Sequence, residues 1–141
     1  MTEQEAKLWI KRFEGGSVDD EFRPSSDLSI VMRLMLNSHI KMATILRLTV
    51  DDYRNGSYVT MRGGLYEYSF EVTAEDDAIV EKHIKKNQLE KDDVLIQVSD
   101  RALRYKFQNV VKTYGYAGRR PEIGDFYFAG LGLENKPMNR T

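Results

Sequence analysis

The sequence predicts an α+β fold: a mainly helical single domain with a small antiparallel sheet built on a β-hairpin over residues 57–72. Three observations carry this expectation. The run LSIVMRLML (28–36) is apolar on nearly every side, as in a central buried helix. Residues 58–72 alternate with period two on either side of Gly63-Gly64. Residues 100–114 place apolar and cationic side chains on opposite faces of a helix.

In chain order, Thr2 is placed to cap a helix reaching about Phe13, with Ala6, Leu8, Trp9 and Phe13 near one face. The segment EGGSVDDEFRPSS breaks that period and reads as a loop, after which Ser25 or Ser26 caps the buried helix. Asn37-Ser38-His39 then breaks the chain before a short helix from Lys41 to about Leu48.

A two-residue Gly63-Gly64 turn sets Arg62 opposite Leu65, Met61 opposite Tyr66 and Val59 opposite Tyr68. That register gathers Val59, Met61, Tyr66, Tyr68 and Phe70 on one face, with Thr60, Arg62, Glu67, Ser69 and Glu71 on the other. Thr73 and Asp76 make a capping-box-like start to the next helix, which ends in the basic run His83 to Lys86. Asp93 to Val98 reads as a short strand, the third of the small sheet. Asp100 opens a helix to about Tyr114. Beyond Gly115 the chain reads as irregular, and residues 132–141 as a loose tail.

A chain of 141 residues can bury one hydrophobic core, so a single domain over 1–141 is expected. Its 21 basic and 22 acidic residues nearly cancel, which by itself implies neither a basic nucleic-acid coat nor an acidic tail. The absence of cysteine excludes disulfides, thiolate catalysis and zinc–thiolate sites. MTEQEAKLWIKRF reads as an amphipathic helix and not a signal peptide, and no apolar run nears the roughly 20 residues of a membrane span. The expectation is a cytoplasmic protein without a membrane partner.

The residues that can carry function are mostly cationic. On helix 100–114, Leu103, Phe107, Val110, Val111 and Tyr114 share one arc. Arg101, Arg104, Gln108 and Lys112 fall roughly opposite, a stripe able to track phosphates and offer base-edge donors. Arg119 and Arg120 follow, with Tyr114 and Tyr116 available for stacking. Arg62, beside the hairpin turn, is placed to reach a groove or a phosphate. The plainer reading of each is a solvated charge paired with nearby acids.

His39 and His83 have no ligand-spaced partner, so no metal or other cofactor is expected, and His83 reads as a half-buried helix residue beside Ile79 and Val80. The acidic groups follow no calcium-loop pattern, and there is no phosphate-binding glycine loop or nucleophile elbow.

The order of these parts resembles the catalytic domain of the tyrosine recombinase (phage integrase) family. In that family a Gly-Leu-Arg-x-Ser-Glu motif leads through Leu-x-x-x-Asp into a β-hairpin. The matching stretch here is His39-Ile40-Lys41-Met42-Ala43-Thr44, followed by Leu48 and Asp52. Lys41 stands where the first catalytic arginine would, keeping the charge without the bidentate fork. Arg62 matches the hairpin lysine that serves as general acid, a role arginine fills poorly. The His-x-Leu-Arg-His box is best matched by Glu122 to Phe126, with Asp125 in place of the second arginine. Tyr127 stands too early to be the nucleophile.

The resemblance therefore implies lost strand cleavage and no enzyme activity, with the Arg101–Lys112 stripe on a DNA-facing helix. It implies a catalytically inactive, integrase-like regulator of a phage or mobile element, binding double-stranded DNA in the host cytoplasm. Lys41, Arg62, Arg101, Arg104, Gln108, Lys112, Arg119 and Arg120 would form its surface. The alternative is a protein-interaction module, an inhibitor or assembly factor without a nucleic-acid role. It would bind a partner or a second copy through the aromatic end Tyr114, Tyr116, Phe126, Tyr127 and Phe128. Acidic groups interleaved with the arginine stripe would favour the alternative.

Overall fold

The computed structural model describes residues 1–15, 26–60 and 66–133. The described residues form seven helices and a two-stranded antiparallel ribbon. In order these are α1 (Glu3–Glu14), α2 (Ser26–Asn37), α3 (Met42–Ile45), α4 (Val50–Asn55), β1 (Ser57–Thr60), β2 (Tyr66–Ser69), α5 (Ala74–Lys86), α6 (Asp100–Tyr114) and α7 (Asp125–Gly130). The chain is mainly helical, as expected. No described helix is long and apolar enough to cross a membrane.

Helix α2 lies at the centre because it is apolar all round except for one narrow stripe, Ser26, Ser29, Arg33 and Asn37. Leu28 through Met32 and Leu34 through Leu36 are all buried. Helices α1, α3, α5, α6 and α7 pack around it. Thr2 caps α1 as expected, its hydroxyl accepting from the Glu5 amide at 3.1 Å. The buried face of α1 is Ala6, Trp9, Ile10 and Phe13; Leu8, assigned to that face by sequence, is 48% exposed. A chain of rings, Trp9 to Phe13 to Phe107 to Phe126, joins α1, α6 and α7 with centroids 5.9, 5.0 and 5.8 Å apart.

The small sheet is reduced to its hairpin, and in a different register. Val59 pairs with Glu67 and Thr60 with Tyr66. The five residues between Thr60 and Tyr66 are an odd number, whereas a two-residue turn requires an even one. The expected pairing of Val59 with Tyr68, and the shared apolar face built on it, is therefore not formed. The register is pinned from the base of the ribbon. Gly56, at φ 68°, ends α4 in the left-handed region, and its carbonyl accepts from the Phe70 amide at 2.9 Å.

Residues 93–98 form no strand. They run beside the link from α3 to α4 through an isolated bridge, Thr49 with Val94, with the Leu95 N–H donating to the Leu48 carbonyl at 2.8 Å and the Val50 N–H of α4 to the Asp93 carbonyl at 2.9 Å. The segment beyond Gly115, expected to be irregular, instead contains α7, whose Phe126 and Ala129 enter the core. The tail expectation lies largely on 134–141, outside the described residues, as does the turn at 61–65.

Two polar networks fix the helices. Arg33 of α2 donates to Glu14 of α1 at 2.9 and 3.1 Å and to Asp76 of α5 at 2.7 Å. Asp76 is 1% exposed and takes a further bond from Asn37 at 2.8 Å. Its amide, not its carboxylate, completes the helix cap with Thr73, so only half of the expected capping box forms. Burial opposes the charge on Arg33, but the bonds to Glu14 and Asp76 outweigh it and raise its pKa.

The Tyr53 phenol donates to Asp77 at 2.7 Å, joining α4 to α5. Burial first, and then that carboxylate, push the Tyr53 pKa well above its ordinary value. A raised folded pKa means that the unfolded chain releases this proton first. The Tyr53 contribution is thus complete below about pH 10 and is lost as pH rises above it. We expect Tyr53→Phe to flatten the alkaline fall in stability, measured by urea unfolding between pH 8 and 11. An unchanged alkaline limb would assign that fall to other groups.

Candidate nucleic-acid interface

Helix α6 presents its cationic face because its other face is required by the core. Ser99 caps it, accepting from the Ala102 amide at 3.1 Å. Leu103, Phe107, Val110 and Val111 are buried, as expected; Tyr114, assigned to the same arc, is 42% exposed. Turning the apolar arc inward leaves Arg101, Arg104 and Lys112 exposed on the far side. Tyr105 stands among them at 69% exposure. Sequence reasoning missed Tyr105, although its angular position between Arg101 and Asn109 was there to be read.

The remaining candidates divide. Gln108 is half-buried and donates to the Pro121 carbonyl at 3.1 Å, so it holds the 115–124 segment against α6. Arg119 is bound to Asp125 at 2.6 Å, and Asp125, 4% exposed, also accepts from the Glu122 amide at 2.8 Å. That pair fixes the start of α7. Lys41 precedes α3, its ammonium 5.8 Å from the Tyr127 ring centroid. Arg62 lies outside the described residues. Arg120 lines a depression of about 240 Å³ together with Arg104 and Glu122.

Acids do enter this surface. Asp100 pairs with Arg104 one turn away, and Glu122 shares the depression. Among the described residues Arg101, Lys112 and Arg120 form no ion pair. The structure thus brings Arg101, Arg104, Tyr105 and Lys112 onto one helix face, with Arg120 beside Arg104.

The aromatic end is mostly spent on the core. Phe126 is fully buried and Tyr127 and Phe128 are half-buried, leaving Tyr114 and Tyr116 exposed. These two border a groove of about 720 Å³ against α1. In it the Arg12 guanidinium stands 4.8 Å from the Trp9 ring centroid and 5.7 Å from that of Tyr114.

His83, read as half-buried from sequence, is 1% exposed. Its Nε2 lies 2.8 Å from the Leu95 carbonyl, which can only accept, so Nε2 carries the proton. Nδ1 then accepts from the Ser26 hydroxyl at 2.6 Å. Ser26 precedes His83 by 57 residues, so no local pattern announces the pair. Among the described residues no three His, Asp or Glu side chains converge as a metal site.

No family model matches this chain, and no curated protein or solved structure matches it significantly.

Proposed function

We propose that this chain is a catalytically inactive, recombinase-like protein that binds duplex DNA through the solvent face of α6, as a regulator of a phage or other mobile element. One observation carries the reading: Arg101, Arg104, Tyr105 and Lys112 align on the exposed side of one 15-residue helix. Arg101 to Lys112 spans roughly 16 Å at the ordinary helical rise, enough to face several backbone phosphates. The mobile-element context rests on the resemblance in element order alone.

The reading does not include strand cleavage. Where the family's second arginine would stand, Asp125 is committed to Arg119, and a carboxylate there repels phosphate. In the first arginine's place Lys41 offers a single charge beside Tyr127, without a bidentate grip.

Binding of this kind is mostly counterion release, so it weakens steeply with salt. Three or four phosphate contacts give a log–log salt slope of about −3. We expect duplex binding by fluorescence anisotropy at low salt, lost in Arg101→Glu/Arg104→Glu. Absence of binding to mixed-sequence DNA at low salt would overturn the proposal.

A protein-interaction role is the second reading, favoured by the groove between α1 and residues 114–121, where Leu8, Tyr114 and Tyr116 are each between 42% and 49% exposed. The acids beside Arg104 also favour it.

A further inference from the structure

A cavity of about 310 Å³ opens between the start of α2 and one side of α5, remote in sequence from α6. Its lining includes Ser26, Ser29, Lys82, His83, Lys86 and Glu14. Ser29 is 6% exposed, and its hydroxyl has no hydrogen-bond partner among the described residues. A buried hydroxyl without a partner is an unmet donor, and native interiors leave few of them. It sits in the first turn of a 12-residue helix, where backbone N–H groups lack acceptors within the helix and the dipole favours negative charge.

Among the described residues, the charges that line the opening sum to a positive sign. Lys82 and Lys86, one turn apart on α5, are exposed and form no ion pair among the described residues. Glu14 carries the carboxylate of the lining, and Arg33 holds it at 2.7 Å. Asp27, the acid of the α2 first turn, is not part of the lining and accepts from the Gln97 amide at 3.0 Å. The His83 Nδ1 is already engaged by the Ser26 hydroxyl, so its lone pair is not turned on the cavity.

From a buried unpartnered hydroxyl, a helix start and two unpaired ammonium groups at one cavity, we infer that this cleft binds a phosphate-type oxyanion. Ser29 donates from the floor, and Lys82 and Lys86 close over the anion from the rim. Two sources share this chemistry: free phosphate or a phosphomonoester, and a backbone phosphate of nucleic acid. The site stands independently of the α6 surface.

The test is a titration of the full chain with inorganic phosphate at constant ionic strength, followed by backbone amide chemical shifts and by Tm. Saturable shifts at Ser26–Ser29 and around Lys82 are expected. Lys82→Ala/Lys86→Ala should weaken phosphate by about tenfold, the scale of a lost charge-assisted bond. Ser29→Ala should weaken it too, while raising Tm in the absence of phosphate because the unmet hydroxyl is gone. Both variants are checked for folding by circular dichroism; the lysines are exposed, so the double variant keeps its fold. Phosphate shifts that are absent, or that survive unchanged in the lysine variant, would overturn the inference. Titrating the same lysine variant with duplex DNA separates the sources: unchanged DNA binding points to free phosphate or a monoester, and weakened binding to a nucleic-acid backbone.

Discussion

Gly130→Ala is expected to lower the unfolding free energy by about 3 kcal/mol. A β-carbon at that position would lie 2.3 Å from the Leu36 carbonyl oxygen, 3.0 Å from its carbon and 3.1 Å from its α-carbon. These are backbone atoms of the most deeply buried helix and have no rotamer through which to yield. Helix propensity alone argues the other way, since alanine in a helix interior gains about 1 kcal/mol over glycine. The sign therefore depends on the close approach of α7 to α2. Urea unfolding decides it, and a midpoint equal to or above wild type would mean that the two backbones do not meet there.

Arg33→Met is expected to cost about 3–5 kcal/mol, the range for breaking a buried ion pair from one side. Methionine keeps the buried stem but strands Asp76, which at 1% exposure has only Asn37 left to satisfy its carboxylate. Glu14, which is less buried, can turn to water. Adding Asp76→Asn removes the stranded charge, so the double variant should recover part of the loss, with a coupling of about 1–3 kcal/mol. Strictly additive losses in the double-mutant cycle would show that Arg33 and Asp76 do not form one network.

Sequence patterns carried local structure well wherever a single element had to satisfy itself. The all-round apolar run 28–36 is the central helix, Thr2 and Thr73 cap as their positions imply, and α6 runs from Asp100 to Tyr114. The strand expected at 93–98 failed because a short apolar run looks the same whether it pairs or packs. Here Leu95 and Ile96 are simply core side chains on an irregular segment. Helix α7 was missed because DFYFAG is short and bracketed by glycines. Its stability comes from contact with α2 and from the Arg119–Asp125 pair, not from propensity.

The candidate interface shows the same division. Periodicity placed Arg101, Arg104 and Lys112 together, and they share a face. Gln108 and Arg119 were equally plausible by type and spacing, but each is claimed by a partner from another segment, Pro121 and Asp125. The oxyanion cleft had no sequence signature, because Ser29 and the Lys82–Lys86 pair meet only when α2 packs on α5.

By itself, the sequence determined which faces must be buried, that Thr2 and Thr73 cap their helices, and that α6 turns a cationic stripe to solvent. Those are consequences of side-chain period and backbone donor satisfaction within one element. Only the tertiary structure decided the hairpin register, the helix at 125–130, and which cations remain uncommitted. A register is pinned by what the ribbon's base is bonded to, and a charge is free or spent according to which acid another helix brings within about 3 Å.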